Sequence, residues 1–393
     1  MILAQLTRRR AHDSTWTKSR YNVLLVLHKF HYYPRLTASG QYPTFAQRQR
    51  LYHQDANYMM PLSTQETSST QPASAGPIQN GSTSSLSDLA KTNLIFQSGS
   101  HQQTYTLETK TTSIHRLTDL PDADAQLFKP ASNPPPGAQI FALTTEATIF
   151  HPQGGGQPSD IGTLSTLPEY GSNQEGQKFF EVAMARTSAT NIGTVLHFGY
   201  FIDESIAQPG PSSLSVIQVV DSDKRHLYSR LHTAGHVLGT ATRSLLEDKI
   251  EDFDELKASH FPDAASCEFK GSIDGKYKSE IQTAVDQLVD KDAEVRIGWW
   301  RKEDFRNRGL ERLLPSDEVW TQIATQVDES GDEVEGSTGP DDEVTRIRVV
   351  EIVGFEVYPC GGTHVPSTKG CGKVSVKKIS RSKGTSRVSY LVD

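Results

Sequence analysis

The pattern of hydrophobic and polar positions divides the chain into a β-rich first part and a mixed second part. Short β-prone runs, separated by turns that contain Gly and Pro, favour a small antiparallel barrel or sandwich in the first part. The Pro-rich stretch 129–137 and the Pro/Gly/Ser stretch 208–213 are predicted to be loops. The predicted strands of this part are residues 94–96, 103–112, 139–144, 179–185 and 194–201.

The spacing changes to that of an amphipathic helix over residues 224–249. A second helix is predicted at 277–290, and strands are predicted around the two helices. This order predicts an α+β fold, in which a small N-terminal antiparallel β-barrel is followed by a domain with helices packed on a mainly antiparallel sheet. The apolar stripe of the first helix is Leu227, Leu231, Ala234, Leu238, Ala241 and Leu245. The predicted strands are 215–220, 265–269, 294–299, 346–352, 374–380 and 386–392.

Composition predicts the limits of the domains. Residues 1–48 are rich in Arg, Tyr, His, Ser and Thr with Asp13 as the only acid. This is typical of a mitochondrial presequence and equally of a wrongly extended gene prediction. Residues 49–214 are predicted to be the barrel domain, interrupted by a disordered insertion at 63–92. Residues 215–393 are predicted to be the second domain, with an acidic surface insertion at 315–343.

Charge is distributed unevenly along the chain. The formal net charge is −7, so the whole chain is not a polycationic nucleic-acid binder. However, residues 358–392 contain no acid and seven Lys and Arg residues. Such a segment could meet a phosphate backbone, or it could be a strand edge that lysines protect from aggregation.

Cysteine content and hydropathy narrow the class of protein. Cys267, Cys360 and Cys371 are too few for a disulfide scaffold and fit a reducing compartment and a metal-ligand role. No apolar run approaches the length that spans a bilayer.

Two short motifs together predict a metal site. The first is His232-Thr-Ala-Gly-His236 on the predicted helix, where residues four apart lie on one face. The second is Cys360-Gly-Gly-Thr-His364, in which the glycines allow a sharp turn. Three imidazoles and one thiolate make a tetrahedral zinc set. Alone, each motif has a plain alternative: a structural histidine pair, and a tight turn with a buried cysteine.

Two further residues could take part in this site. His260, just before a predicted strand, could be an alternative ligand or a base, or simply a structural histidine. Cys371 could replace Cys360 only if the Gly-Gly turn pointed elsewhere.

A glycine-rich segment, 150–162, is the third motif. Gly154, Gly155 and Gly156 bring backbone N–H groups within reach of a ligand, and Gln157 and Thr148 add polar side-chain atoms. Such a loop suits recognition of an ester or carbonyl oxygen or of a small polar side chain. The Lys-Ser/Thr pair of a phosphate-binding P-loop is missing. Taken alone, the segment would also fit a Gly-rich β-turn.

The three motifs occur in the order and rough spacing of AlaX proteins, which are free-standing relatives of the editing domain of alanyl-tRNA synthetase. The segment Leu51-Tyr52-His53-Gln54-Asp55 also resembles the start of that family. The resemblance therefore covers residues from about 50 to 393, apart from the two insertions. The second additional domain of threonyl-tRNA synthetase has a similar pair of motifs. It does not usually carry the Gly-Gly-Gly-Gln loop, which favours the alanyl branch.

The resemblance implies a function and a set of site residues. The family hydrolyses tRNA(Ala) mischarged with serine or glycine, so it implies a trans-editing deacylase that uses one zinc ion. His232, His236, Cys360 and His364 match the family's zinc ligands. Thr148 and Gln157 match catalytic positions, and Gly154, Gly155, Gly156 and Gln157 match positions that line the amino-acid pocket.

Alternatives remain open at this point. Four protein ligands are typical of a closed, structural zinc site, whereas a catalytic site keeps a position open. Either one ligand is loosely bound, or the ion positions the acyl group while Gln157 and Thr148 order the water. The alternative function is a non-catalytic tRNA-binding module with a structural zinc. An aminoacylating ligase is not expected, because the sequence before the barrel shows no adenylation domain. The protein is expected to be a cytoplasmic monomer that does not enter membranes; mitochondrial import through the Arg-rich N-terminus is the alternative.

Overall fold

The computed structural model describes residues 91–168, 176–203, 208–326 and 345–393. The predicted N-terminal extension 1–48 and the acidic block 328–343 lie outside the described residues. So does the predicted insertion 63–92, except for its last two residues. Of these, Thr92 is buried and its hydroxyl accepts a hydrogen bond from the Val195 N–H at 3.0 Å.

The first part of the chain forms strands, three 3-10 turns and one short α-helix, α1 (Asp122–Ala125). Six of the strands close into an antiparallel barrel, which confirms the predicted barrel. The strands are β1 (Asn93–Leu94), β2 (Thr106–Arg116), β3 (Phe141–Thr145), β4 (Ala147–Thr148), β5 (Gly162–Thr166), β6 (Lys178–Thr187), β7 (Val195–Phe201), β8 (Gly210–Pro211) and β9 (Ser215–Val220). Around the barrel the order is β3-β7-β6-β5-β9-β2, and β2 pairs back with β3.

The barrel interior is filled by apolar side chains from several of its strands. Phe141, Leu143, Leu164 and Phe180 are buried there in one cluster. The strand β9 corrects the predicted domain boundary, because residues 215–220 were assigned to the second domain. β9 pairs with both β5 and β2 and completes the ring, so the barrel extends to Val220.

The second part of the chain is mixed, as predicted. Its helices are α2 (Ser222–Leu246), α3 (Lys278–Asp290), α4 (Lys302–Asn307) and α5 (Asp317–Ile323). Its strands are β10 (Asp254–Ser259), β11 (Ser266–Lys270), β12 (Val295–Trp300), β13 (Thr325–Gln326), β14 (Thr345–Ile352), β15 (Glu356–Pro359), β16 (Val374–Ser382) and β17 (Thr385–Val392). None of the described helices is both long and apolar enough to cross a membrane.

One antiparallel sheet, ordered β10-β11-β17-β16, packs against α2 and α3. The helix α2 begins where the Asp221 carboxylate accepts a hydrogen bond from the Lys224 N–H at 3.0 Å, as a capping residue does. Every residue from 231 to 243 is buried, because the barrel side and the sheet side both cover this helix. The predicted apolar stripe of α2 lies in the core between the helices and the sheet.

A smaller sheet, β12-β14-β13 with β15 added on β14, carries the second motif. The structure also shows that the predicted surface insertion at 315–343 begins with packed residues. Residues 317–323 form α5, and Trp320 is buried with Trp300 and Phe305 in an apolar cluster. The start of this segment is therefore packed structure; only its acidic part, outside the described residues, stays a prediction.

Candidate functional site

The helix α2 brings His232 and His236 to the same face, as their spacing predicts. Both imidazoles are buried, and their ring centroids are 5.0 Å apart. Residues one turn apart on a helix point in the same direction. The barrel side of α2 therefore offers two ring nitrogens to one point.

The second motif follows β15 as a tight turn against α2. Gly362 lies so close to the first motif that a Cβ atom there would be 2.2 Å from Cε1 of His232. Only glycine allows this approach. The guanidinium of Arg348 donates a hydrogen bond of 2.6 Å to the Cys360 carbonyl, which fixes the start of the turn.

The two motifs converge on one point. The ligand atoms of His232, His236, Cys360 and His364 all lie within 4.8 Å of one another. The Cys360 Sγ is 3.4 Å from Nε2 of His232 and 3.4 Å from Nε2 of His364. In a tetrahedral zinc site with Zn–N of about 2.05 Å and Zn–S of about 2.3 Å, the N···S edge is about 3.6 Å. The four donors could therefore hold one metal ion, as the sequence predicts.

A second layer of hydrogen bonds orients these ligands. Gln157 Oε1 accepts hydrogen bonds from Nδ1 of His232 at 2.8 Å and from the Thr363 N–H at 3.0 Å. Its Nε2 donates to the Thr363 hydroxyl at 2.9 Å. The Thr233 hydroxyl is 3.1 Å from Nδ1 of His364. Because Nδ1 of His232 is engaged in this way, its Nε2 is left to face the sulfur.

Electrostatics keep the imidazoles neutral. Burial lowers the pKa of His232, His236 and His364 well below 6.5, and neighbouring histidines act in the same direction. Burial raises the pKa of the Cys360 thiol, while the Arg348 guanidinium opposes that rise. Neutral imidazoles have free lone pairs, and a bound cation would favour the thiolate.

The fit to a metal rests on one further observation. Nδ1 of His236 is buried and has no hydrogen-bond partner among the described residues. A buried ring nitrogen without a protein partner is one that a water or an ion can satisfy. Three nitrogens and one sulfur, with one imidazole short of partners, match a zinc ion better than a self-sufficient hydrogen-bond cluster.

His260 and Cys371 are not members of this group of four. The His260 ring stacks on His232 at a centroid distance of 4.2 Å, and its Nδ1 is 2.7 Å from the Tyr390 hydroxyl. Cys371 is buried, and burial raises the pKa of its thiol to about 12. The ligand set is therefore the one built on Cys360.

The glycine-rich loop lies against β10 and the second motif. Gly155 and Gly156 have φ of 55° and 80°, which favours glycine, and the Gly156 carbonyl accepts a hydrogen bond from the His260 N–H at 2.8 Å. Gly154 and Gln157 close a turn through a Gln157 N–H to Gly154 carbonyl bond of 2.9 Å. The loop thus carries the Gln157 amide to the ligands.

A buried ion pair fastens the same loop to α2. The Arg225 Nε donates to both Asp160 oxygens, at 3.0 and 2.9 Å, and both side chains are buried. Burial raises the pKa of Asp160, and Arg225 acts against that rise. Since α2 also carries His232, this pair fixes the loop relative to the metal ligands.

Thr148 lies in the barrel, away from this ligand shell. It is fully buried, and its hydroxyl is 2.8 Å from Nε2 of His197 and 3.3 Å from Oε1 of Gln218. It does not line the cleft beside the metal ligands.

A cleft of about 420 Å³ opens beside the metal ligands. Two of the exposed large apolar side chains, Ile192 from the barrel and Leu256 from β10, stand in its walls. His232, His236, Cys360, Gly154, Gly155 and His260 also line it. The structure thus brings three of the four predicted ligands, His232, His236 and Cys360, and part of the glycine loop to one cavity.

Sequence reasoning missed most of the second layer and the ionic part of the wall. Thr363 and Thr233 lie inside or beside the motifs, so their positions could have been noticed. Arg243 could not: it is buried beside the cleft and pairs with Glu247, Asp254 and Glu255 at 2.8, 2.9 and 3.1 Å. Those contacts depend on the packing of β10 on α2.

Comparison with known proteins adds the evolutionary context. Residues 347–389, from β14 to β17, match the threonyl and alanyl tRNA synthetase second additional domain. The alanyl-tRNA editing protein AlaX-L of Pyrococcus horikoshii is 26% identical over 63% of this chain and 50% of its own length. The alanine–tRNA ligases of Methanothermobacter thermautotrophicus and Methanosphaera stadtmanae are 26% and 28% identical, over 70% and 62% of this chain.

The matched region is a part of each relative. It spans half of AlaX-L and 28% and 23% of the two ligases. The family match over residues 347–389 includes the turn that carries Cys360 and His364. These findings agree with the resemblance drawn from the three motifs: the chain is similar to the AlaX-L editing protein and to part of alanyl-tRNA synthetases.

Proposed function

We propose that the protein is a trans-editing deacylase that hydrolyses mischarged tRNA(Ala), with seryl-tRNA(Ala) as the main substrate and glycyl-tRNA(Ala) as a second one. The observation that carries the proposal is the convergence of His232, His236, Cys360 and His364, of which the first three also line a cleft. The relationship to AlaX-L supports the same activity. A pocket sized for alanine cannot exclude glycine by size and rejects serine only weakly, so a second hydrolytic site completes the selection.

Each group of residues has a role in this proposal. The four ligands would hold one zinc ion, which supplies Lewis-acid polarisation of an ester carbonyl or of a water when bound. Gln157 acts as a positioning residue, because its amide oxygen holds Nδ1 of His232. Gly154 and Gly155 line the cleft where the acyl group would lie. Direct catalytic roles of Thr148 and Gln157, and substrate contacts of Gly156, stay predictions.

Deacylation of seryl-, glycyl- and alanyl-tRNA(Ala), side by side, tests the proposal. We expect the seryl ester to be hydrolysed fastest and the alanyl ester slowest, and a chelator to abolish the activity. Zinc measured on the purified protein should approach one ion per chain. A zinc content near zero in active protein would contradict the role of the four ligands, and inertness towards all three esters would contradict the proposed activity.

A second candidate function follows from the number of ligands. Four protein ligands describe a closed site, which favours a structural zinc in a tRNA-binding module without catalysis. Salt-sensitive tRNA binding in a protein that holds zinc but deacylates none of the three esters would favour this candidate. The monomeric state, cytoplasmic location and choice of tRNA(Ala) stay predictions. The mitochondrial alternative depends on residues 1–48, outside the described part of the chain, and the relatives give it no support.

A further inference from the structure

One face of the sheet β10-β11-β17-β16 runs from the cleft to the opposite edge of the sheet. Cross-strand partners share a face, and the register pairs Lys257 with Glu268, Glu268 with Arg387, and Arg387 with Ser380. The neighbouring row contains Val388, which is buried and points towards the helices. The row that begins at Lys257 therefore faces outward, and Lys257 and Glu268 both line the cleft.

Basic residues dominate this face and the edge beside it. Lys378 pairs with Ser389, two residues from Arg387, so it stands on the same outer face. Lys377 and Lys383 are exposed on β16 and in the turn that follows it. We call Lys257, Lys377, Lys378, Lys383 and Arg387 the basic sheet face.

Few acidic side chains neutralise this surface. Glu268 forms an ion pair with Lys257 at 3.4 Å, and the Arg387 Nε donates to the Ser266 hydroxyl at 2.9 Å. Residues 358–392 contain no acid, although the whole chain carries a net charge of −7. Positive charge is therefore concentrated on one surface of an acidic protein.

Protection of a sheet edge explains only part of this pattern. Lysines on an edge strand discourage pairing with other chains, and β16 is an edge strand. Arg387, however, lies on β17, which is paired on both sides, and Lys257 stands at the other edge beside the cleft. A cation on an interior strand protects no edge.

We propose that the basic sheet face binds the phosphates of the tRNA 3′ strand as its terminal ester enters the cleft. The inference rests on the proposed function for its choice of tRNA. Three strand spacings, about 14 Å, separate β10 from β16. At about 3.4 Å per stacked nucleotide, this width matches the four unpaired nucleotides at a tRNA 3′ end. Phosphates are complementary to this surface, and its row of cations ends at the cleft.

The test uses three exposed residues outside the cleft. The variant Lys378→Gln/Lys383→Gln/Arg387→Gln removes three positive charges from the basic sheet face. The matched control, Lys110→Gln/Lys129→Gln/Lys178→Gln, removes three exposed charges from the barrel domain. Binding of uncharged tRNA(Ala) transcript is measured between 50 and 200 mM KCl, and the melting temperatures of all three proteins confirm that they fold.

The expected result is a change in salt dependence. Each lost phosphate contact should reduce the slope of log K against log salt by about 0.7, so the first variant should lose about 2 in slope and roughly 100-fold in affinity at 0.1 M salt. The control should bind as the parent protein does. For deacylation, KM for seryl-tRNA(Ala) should rise in the first variant, while hydrolysis of a seryl ester of adenosine should not change.

Two results would overturn the inference: an unchanged salt slope in the first variant, or an equal loss in the barrel control. These results are separate from a failure of the proposed function. If the parent protein binds tRNA through these cations but hydrolyses no ester, the basic sheet face stands and the deacylase proposal falls. If deacylation is strong and the first variant keeps its salt slope, the reverse holds.

Discussion

Two buried sets of polar side chains, one in the barrel and one on α2, differ in how completely their atoms are paired. In the barrel, the Thr148 hydroxyl bonds Nε2 of His197, and Nδ1 of that ring is 3.0 Å from the Leu143 carbonyl. Gln218 accepts a bond of 2.9 Å from the Ile149 N–H and donates to two further oxygens. The polar side chains of this barrel set therefore find their hydrogen-bond partners within the barrel.

The set on α2 is less completely paired. Its four ligand atoms face one another without an acidic partner in the group, and Nδ1 of His236 has no partner among the described residues. A buried set that pairs all its atoms stabilises the fold, whereas four converging donor atoms with one ring nitrogen unpaired fit a metal ion. Equal burial of histidine therefore does not imply an equal role.

The largest expected effect is the loss of metal from the second set. Cys360→Ala and His232→Ala should reduce bound zinc from about one ion per chain to near zero, with loss of seryl-tRNA(Ala) deacylation, because each removes one of four ligands. Atomic emission measures the metal. His197→Gln is the matched control: it should keep the zinc and reduce only stability. Full zinc content in Cys360→Ala would contradict the claim that the set on α2 binds a metal ion and the barrel set does not.

Part of the acid-induced loss of stability should come from the barrel set. Burial lowers the pKa of His197 to about 4, against 6.5 in the unfolded chain. The unfolded state then binds more protons between these values, so stability is unaffected above pH 6.5 and falls as the pH drops towards 4. The loss attributable to His197 should be about 3 kcal/mol.

Urea unfolding of the parent protein and of His197→Gln at pH 7 and pH 4 measures this difference. The variant should show a smaller loss on acidification, whatever its absolute stability. Equal pH dependence in the two proteins would mean that His197 ionises as readily in the folded chain as in the unfolded one.

A smaller effect should follow from removing the link between the glycine loop and the ligands. Gln157→Ala leaves Nδ1 of His232 without its acceptor, so zinc affinity should fall about 10- to 100-fold, as for other residues that orient metal ligands. Competition with a chelator of known affinity measures the change. Gln157→Glu should retain part of the affinity, since a carboxylate also accepts from Nδ1. Unchanged affinity in Gln157→Ala would restrict its role to substrate.

The smallest effect is expected from Thr148→Val. It removes a buried hydroxyl and leaves Nε2 of His197 unpaired, so stability should fall by about 1–3 kcal/mol. If Thr148 serves only the barrel set, the folded variant should deacylate seryl-tRNA(Ala) within a few-fold of the parent rate. A large loss of activity at unchanged stability would instead support the predicted catalytic role.

Strong periodicity and end signals made most of the fold predictable. The first helix was predicted at 224–249 and runs over Ser222–Leu246, and the barrel strands β2, β3, β6 and β7 were predicted. β10 was missed because Asp254–Ser259 has little alternation and none of its six residues is fully buried at this sheet edge; pairing with β11 forms the strand. The assignment of β9 to the barrel could not be predicted, because it depends on closure of the barrel and not on the local sequence pattern.

Only the part of the site that lies within the sequence motifs could be predicted. The four ligands could be named because each motif fixes two of them at helix or turn spacing. The bond from His232 to Gln157 joins residues 75 positions apart and follows only from the packing of the loop on α2. The same holds for Asp160 and Arg225, whose pairing crosses from the barrel to the helix.

Gly362 and Gly235 bind no ligand themselves, but an imidazole ring occupies the space that a side chain would need at each position. A methyl group at Gly362 would strike His232, and one at Gly235 would lie 2.3 Å from Cε1 of His260. In a diverged sequence, a glycine at both places would distinguish histidines that converge in the fold from a chance pair on a helix. The two glycines are thus a second sequence signature of the site, which is useful because histidine and cysteine pairs alone are too common to be informative.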